Sequence, residues 1–214
     1  MVLVDNQIRD RVKDFKKYEK VYCNGAKALI ENFQDKNLQS ASYDITITNK
    51  IRIFRDDYRK INLSSDIEVD SVSIGRDISL GYELKPNEYI LVQMNECINM
   101  PNDLIAHIRP RTTFTRLGLI LSDQHFNPSY CGMVHLGLYN ATKSILEIKP
   151  NLKIGQIVFE KLDLMPDEDN LYCNKDSKYQ NEKEFIGSKI YDELGSSEKS
   201  LVDEYVASIL NNLK

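Results

Sequence analysis

The chain has 214 residues, with 28 lysines and arginines against 32 aspartates and glutamates, a formal net charge of -4 and a pI near 5.5. That length allows one well-buried core with terminal additions and does not require a second domain. The acidic balance argues against a protein wrapped in nucleic acid, so any phosphate binding is expected to be local, in a basic pocket on an acidic surface. Met1 to Lys20 carries charges throughout and no run elsewhere approaches membrane-spanning length, so a soluble cytoplasmic protein is expected, with neither membrane nor nucleic acid as partner. Cys23, Cys97, Cys131 and Cys173 are scattered along the sequence. None makes a close pair, which predicts reduced thiols and no zinc site.

In chain order, Asp5 to Lys20 places Ile8, Val12 and Phe15 at helical spacing among charged residues, a short amphipathic surface helix. A second helix is predicted over Ala26 to Phe33, with Ala28, Leu29 and Phe33 inward. From Ser40 the pattern alternates: Tyr43, Ile45, Ile47, Ile51 and Ile53 predict the first strands. The polar interval Asp56 to Arg76 reads as loops around one short strand, Ile67 to Val72. Tyr82 and Leu84, then Lys85 to Glu88, then Tyr89 and Leu91 give a hairpin signal, because Pro86 and Asn87 suit a tight turn.

After a turn at Pro101, Leu104 to Ile108 leads into the run Arg109 to Leu119. Val134, Leu136 and Leu138 alternate with polar residues, and Ile145 to Ile148 and Ile154 to Phe159 continue the strand pattern. Many short strands without long helices between them predict a mainly β fold, a sandwich or jelly-roll. Pro166 to Lys189 is polar and expected to be mobile. Ser196 to Lys214 then carries Leu201, Val202, Tyr205, Val206, Ile209, Leu210 and Leu213 on one helical stripe, with Ser197 as cap. Such a stripe is expected to be buried, on its own domain or against another subunit or protein partner. The expected organisation is a main domain over 1–194 and a helical extension over 195–214.

The chemistry concentrates between Ile108 and Phe159. Arg111, Thr112, Thr113 and Arg116 lie close together, and guanidinium groups with small hydroxyls and backbone amides make a cradle for phosphate oxygens. There is no Walker loop and no dinucleotide glycine fingerprint, so this run is the candidate phosphate site. His107, His125 and His135 stand apart and do not form a metal-ligand pattern. No serine or cysteine nucleophile motif is present.

Pro110 to Leu119 resembles the signature of the dCTP deaminase and dUTPase superfamily, which has two serines where Thr112 and Thr113 stand. The resemblance extends through Ala41 to Asp44, Asn127 to Gly132, Leu138 to Asn140 and Ile154 to Gln156, and Lys178, Tyr179, Gln180 and Ser188 resemble the lid of the deaminase branch. It implies a distorted β jelly-roll, a homotrimer and nucleotide sites shared between neighbouring subunits. It also implies that Arg111, Thr112, Thr113 and Arg116 hold phosphates and that Tyr130 lies against the deoxyribose. His135 to Gly137 would face the base, and Tyr172, Lys178 and Tyr179 would close over a triphosphate accompanied by Mg2+.

Two departures bear on turnover. Gly137 stands where the deaminases have their water-activating glutamate, and Asn127 where the dUTPases have their aspartate; neither can accept a proton near neutral pH, a loss that typically removes about 10²- to 10⁴-fold of rate. Asp123 and His125, in the loop just before Asn127, are the only substitutes at hand. Glu182 and Glu184 replace a glutamine and a glycine of the lid, placing carboxylates beside the expected phosphates. The reading adopted is a nucleotide-binding protein without the usual chemistry, a sensor, regulator or sequestering protein. The alternatives are an active dCTP deaminase or dUTP diphosphatase with a relocated base, and an interaction protein displaying its C-terminal helix.

Overall fold

In a computed structural model of the chain, residues 1–23, 25–57, 60–63 and 65–212 are described. The strands are β1 (Ile30–Glu31), β2 (Tyr43–Phe54), β3 (Ser73–Asp77), β4 (Tyr82–Leu84), β5 (Tyr89–Asn99) and β6 (Leu104–Pro110). They continue with β7 (Leu119–Leu121), β8 (His125–Phe126), β9 (Cys131–Asn140), β10 (Leu146–Ile148) and β11 (Lys153–Lys161). The helices are α1 (Asp5–Lys13), α2 (Val69–Val72), α3 (Thr112–Thr115) and α4 (Ser196–Asn212).

One sheet runs in the order β7-β9-β5-β2-β11-β6-β8, with β1 added to β5 and β3 to β2; β4 and β10 pair separately. Every ladder is antiparallel. The first half of β2 pairs with β11 and its second half with β5 and β3. Register shifts at Ile47/Ile51, Gln93/Cys97 and Lys153/Gly155 add local twist, as bulges do. The sheet therefore curls on itself into a distorted jelly-roll.

Strand alternation decides which side chains enter the curl. On β9, Val134, Leu136 and Leu138 are buried in the core with Ile45, Ile90 and Phe159, while Met133, His135 and Tyr139 face the other way. Three buried polar ties pin the layers. Arg11 on α1 donates two hydrogen bonds to Asp103, at 3.0 and 2.6 Å. Glu96 on β5 accepts from the Thr46 backbone N–H and hydroxyl, each at 3.0 Å. Asp44 faces Arg111 and Lys153, each at 3.5 Å.

Several expectations are corrected. The helix expected over Ala26 to Phe33 is absent: β1 lies there, Ile30 opposite Ile98 and Glu31 opposite Cys97, and hydrogen bonding to β5 outweighs a weak helical pattern. The expected Ile67 to Val72 strand is a single bridge from Ile67 to Ser188 followed by α2. The Lys85 to Glu88 turn forms, but its flanks do not make a hairpin, since β4 pairs with β10 and β5 with β9 and β2. The segment 166–189, expected to be mobile, is tied across the body: Gln180 Nε2 donates to the Ser129 carbonyl at 2.9 Å, and the Met133 N–H donates to the Glu182 carbonyl at 2.8 Å.

The thiols are also corrected. Cys23 and Cys173 form a disulfide spanning 150 positions of sequence, a pairing that spacing alone does not reveal. The last helix does not bury its stripe on its own domain: Leu201, Tyr205, Val206 and Ile209 of α4 are exposed, and its ties run to the turn before it, where Tyr191 donates to Asp203. The other expectation, burial against another subunit or protein partner, concerns contacts outside this chain. Leu213 lies outside the described residues. The helix starts one residue before Ser197, and the Gly195 N–H is met by the Glu198 carboxylate at 2.7 Å. Among the described residues no helix is long and apolar enough to cross a membrane.

Candidate functional site

Between the outward face of β9 and the 166–189 segment lies a cavity of about 560 Å³. Met133 and His135 contribute its floor because they alternate out of the core, and β8 with the following turn brings His125, Phe126 and Asn127 to one side. Tyr130, Tyr172, Tyr179 and Glu182 close another side. The Tyr130 ring packs against Phe126 at 5.2 Å and meets Tyr172 edge-on at 5.7 Å. Burial holds the Tyr130 phenol well above its ordinary pKa, so it stays a neutral hydrogen-bonding group.

The buried polar centre is His135 with Glu182. The Gln93 amide nitrogen donates to the Lys183 carbonyl at 2.9 Å and lies 3.1 Å from His135 Nε2. Both of its hydrogens are then used, which makes Nε2 the acceptor and places the ring proton on Nδ1. Nδ1 lies 3.0 Å from Glu182 Oε1. The contact is close but off the line of a hydrogen bond, leaving Nδ1 a buried donor without an aligned acceptor. Glu182 is fixed by its backbone, bridged in parallel to Gly132.

A side chain at Gly137 requires the exposed Tyr89 ring to swing away. A Cβ there would start 1.9 Å from the Tyr89 hydroxyl, and the Tyr89 ring rests 5.6 Å from Phe54. His125 Nε2–H donates to Asn127 Oδ1 at 3.1 Å, and the His125 ring lies 4.9 Å from His107. Of the two expected substitutes, His125 lines the cavity. Asp123 does not; it faces Arg109 at 3.6 Å on the exposed side.

The phosphate run sits elsewhere. Arg111 precedes α3, which carries Thr112 and Thr113, and Arg116 follows it; none of the four lines the cavity. Arg111 is partly engaged already, donating to the Lys153 carbonyl at 3.1 Å. Lys178 pairs with Glu193 at 2.6 Å and Glu184 with Lys50 at 2.8 Å, so neither reaches the cavity.

A dCTP deaminase-like family model matches residues 2–162. The chain belongs to the dCTP deaminase-like family. It is 30% identical over 188 residues to a dUMP-forming dCTP deaminase of Dictyoglomus turgidum, covering 83% of this chain and 92% of that protein. It is 28% identical over 167 residues to one of Hydrogenobaculum, covering 78% and 85%. Among solved structures it is similar to the 2'-deoxycytidine 5'-triphosphate deaminase from Agrobacterium tumefaciens, with a TM-score of 0.57 and 17% identity over 74% of this chain. The match spans 46% of that structure's chain, a little under half, and at this identity it speaks for the fold.

Set on this family's scaffold, the cavity has walls that sequence reasoning missed. Ile61, Leu63, Ile67, Val69 and Val72, from the interval read as loops around one short strand, form its apolar side, together with Ile186 and Ile190, which flank the Ser188 bridge to Ile67. Ile61 and Leu63 lie scattered through polar sequence, and the short strand read over Ile67 to Val72 gave no sign that its apolar residues wall a cavity. Tyr89, Gln93 and the pairing of Glu182 with His135 were equally invisible, since each depends on strands joined at long range.

Proposed function

We propose that this dCTP deaminase-like protein binds a pyrimidine deoxynucleoside triphosphate, with base and sugar in the cavity and phosphates on the Arg111 to Arg116 run of a neighbouring copy in a homotrimer. One observation carries the reading: the cavity and the phosphate run are both formed, yet they lie apart in a single chain. A second copy supplies what each lacks. Among the described residues no three His, Cys, Asp or Glu side chains gather to hold a metal. The residues therefore fit a Mg2+ that arrives on the phosphate oxygens, with waters, better than one resident in a protein cage.

In this reading the family's chemistry is blocked at its usual positions. Tyr89 fills the space at Gly137, and Asn127 offers an amide where a proton acceptor is needed. The protein then holds a nucleotide as sensor, regulator or sequestering protein. The second reading is dCTP deamination, favoured by the names of the relatives. Glu182, the carboxylate that lines the cavity beside His135, would be the group to take the proton from water.

Calorimetry with dCTP and dUTP tests the first reading, with ammonia and dUMP release measured in parallel. We expect binding without turnover, weakened about 10- to 100-fold by Arg116→Ala, the loss of one charge-assisted phosphate contact. Ammonia release abolished by Glu182→Gln would establish the second reading instead. Absence of any nucleotide binding would end both.

A further inference from the structure

Three of the four cysteines, dispersed in sequence, meet at one cleft, and the fourth, Cys97, adjoins Cys131. Cys23, Cys131 and Cys173 line a small cleft of about 40 Å³ together with Lys27 and Gln180. Cys23 and Cys173 are joined, whereas Cys97 and Cys131 are free and are hydrogen-bonding neighbours of one another. The segments carrying Cys131 and Cys173 are laced together. The Cys173 N–H donates to Ser129 Oγ at 2.9 Å, the Cys131 N–H donates to Gln180 Oε1 at 2.9 Å, and the Asn181 N–H donates to the Cys131 carbonyl at 2.7 Å.

We propose that these residues form one thiol–disulfide exchange site, in which the Cys97/Cys131 dithiol and the Cys23–Cys173 disulfide trade electrons within the chain. Cys131 is the attacking sulfur. It lies 3.6 Å from Lys27 Nζ, and its hydrogen-bonding neighbour Cys97 lowers its pKa to about 6, with Lys27 helping. Its S–H donates to Asn99 Oδ1 at 2.8 Å, a contact given up when the thiolate forms. Cys97 is pushed far up by that same neighbour and by burial, so it is the slower, second thiol. A thiolate attacks a disulfide through a mixed-disulfide intermediate.

The exchange balances without any outside oxidant. The Cys131 thiolate bonds to the Cys173 sulfur, and Cys23 leaves as a thiolate and takes up a proton. Cys97 then gives its proton to solvent and attacks the Cys131 sulfur, expelling Cys173, which is protonated in turn. Two electrons have passed from Cys97 and Cys131 to Cys23 and Cys173. A small dithiol or disulfide from outside sets how many disulfides the chain holds, while the ratio of the two one-disulfide forms is set within the chain.

The consequence reaches the cavity. Cys173 follows Tyr172, whose ring meets Tyr130, so the Cys23–Cys173 bond fastens the 172–182 wall to the N-terminal segment. Exchange releases that fastening and moves the cross-link to strands β5 and β9, which are already paired.

Disulfide mapping of the full-length protein tests this. The protein is equilibrated over graded ratios of reduced to oxidised dithiothreitol, acid-quenched, alkylated and digested. In the wild type, the one-disulfide fraction is expected to contain both Cys23–Cys173 and Cys97–Cys131 cross-linked peptides, in a ratio that stays the same across the series. Cys97→Ser is expected to trap Cys131–Cys173 with Cys23 alkylated, and Cys131→Ser to hold Cys23–Cys173 alone. In the unmodified protein at neutral pH, Cys131 is expected to alkylate at least about tenfold faster than Cys97. Circular dichroism confirms that each variant is folded. Absence of both the Cys97–Cys131 and the Cys131–Cys173 species, or equal alkylation rates, overturns the proposal.

Discussion

Tyr89 and Gly137 illustrate how one residue's absence of a side chain is another residue's position. The Tyr89 hydroxyl lies where a Cβ of residue 137 would stand, so Gly137→Ala must push the ring aside. Because Tyr89 is 42% exposed and the clash is with the outer end of its side chain, the cost is expected to be under about 1 kcal/mol. In a Tyr89→Ala background the same substitution is expected to cost less, and urea unfolding of the four proteins in a double-mutant cycle measures the difference. Equal costs in both backgrounds would show that Tyr89 does not fill that space.

Glu96 makes a second prediction at this scale. Burial raises its carboxyl above the ordinary value of 4.5, against the two hydrogen bonds from Thr46 that lower it. Below that value both folded and unfolded chains hold the proton and the contribution to stability is complete. As pH rises the unfolded chain ionises first, so stability is lost until the folded group ionises too. Unfolding midpoints measured from about pH 4 to 8 are therefore expected to fall less steeply in Glu96→Gln than in the wild type. Parallel slopes would refute the assignment.

Among elements, α1 depends on a tie its sequence does not reveal. The helical spacing of Ile8 and Val12 predicted the helix, and the structure ends it at Lys13, where a 3-10 turn over Phe15–Val21 takes over. What fixes its place is Arg11, gripped by Asp103 in a setting where both side chains are nearly covered. Removing one partner of a buried ion pair leaves a charge without compensation and costs about 3–5 kcal/mol. Asp103→Ala is expected to show that loss in chemical denaturation. The exposed Asp35, which faces Arg9 and Lys13, is expected to leave the melting midpoint unchanged when replaced by alanine.

Legibility followed the same division. The long strands β2, β5, β9 and β11 were readable because each buries one face and repeats every second residue. β1 was misread as helix because two residues carry no period, and their partner on β5 lies far along the sequence. The stripe on α4 was readable, but its burial was not: four apolar side chains stand exposed because nothing in the described chain lies against them.

For the whole molecule, the proposed site requires two copies, and mixing tests this directly. Arg116→Ala lacks part of the phosphate run and Tyr130→Ala lacks part of the cavity. Each alone is expected to bind nucleotide weakly. Unfolded, mixed in equal amounts and refolded, they are expected to regain about a quarter of the sites, since a random trimer places an intact cavity beside an intact run at that frequency. Titration calorimetry counts the sites, and no recovery in a mixture shown to be trimeric would refute sharing.

The sequence by itself determined the mainly β fold and the superfamily and marked the Arg111 to Arg116 run as the candidate phosphate site, because strand period and a contiguous motif are local properties that survive without knowledge of the partner strands. Only the tertiary structure decided the Tyr89 plug at Gly137, the Glu182–His135 pair, the apolar wall from 61–72 and the gathering of the four cysteines. Each of these joins segments far apart in the chain, and which segments meet is set by how the whole sheet curls.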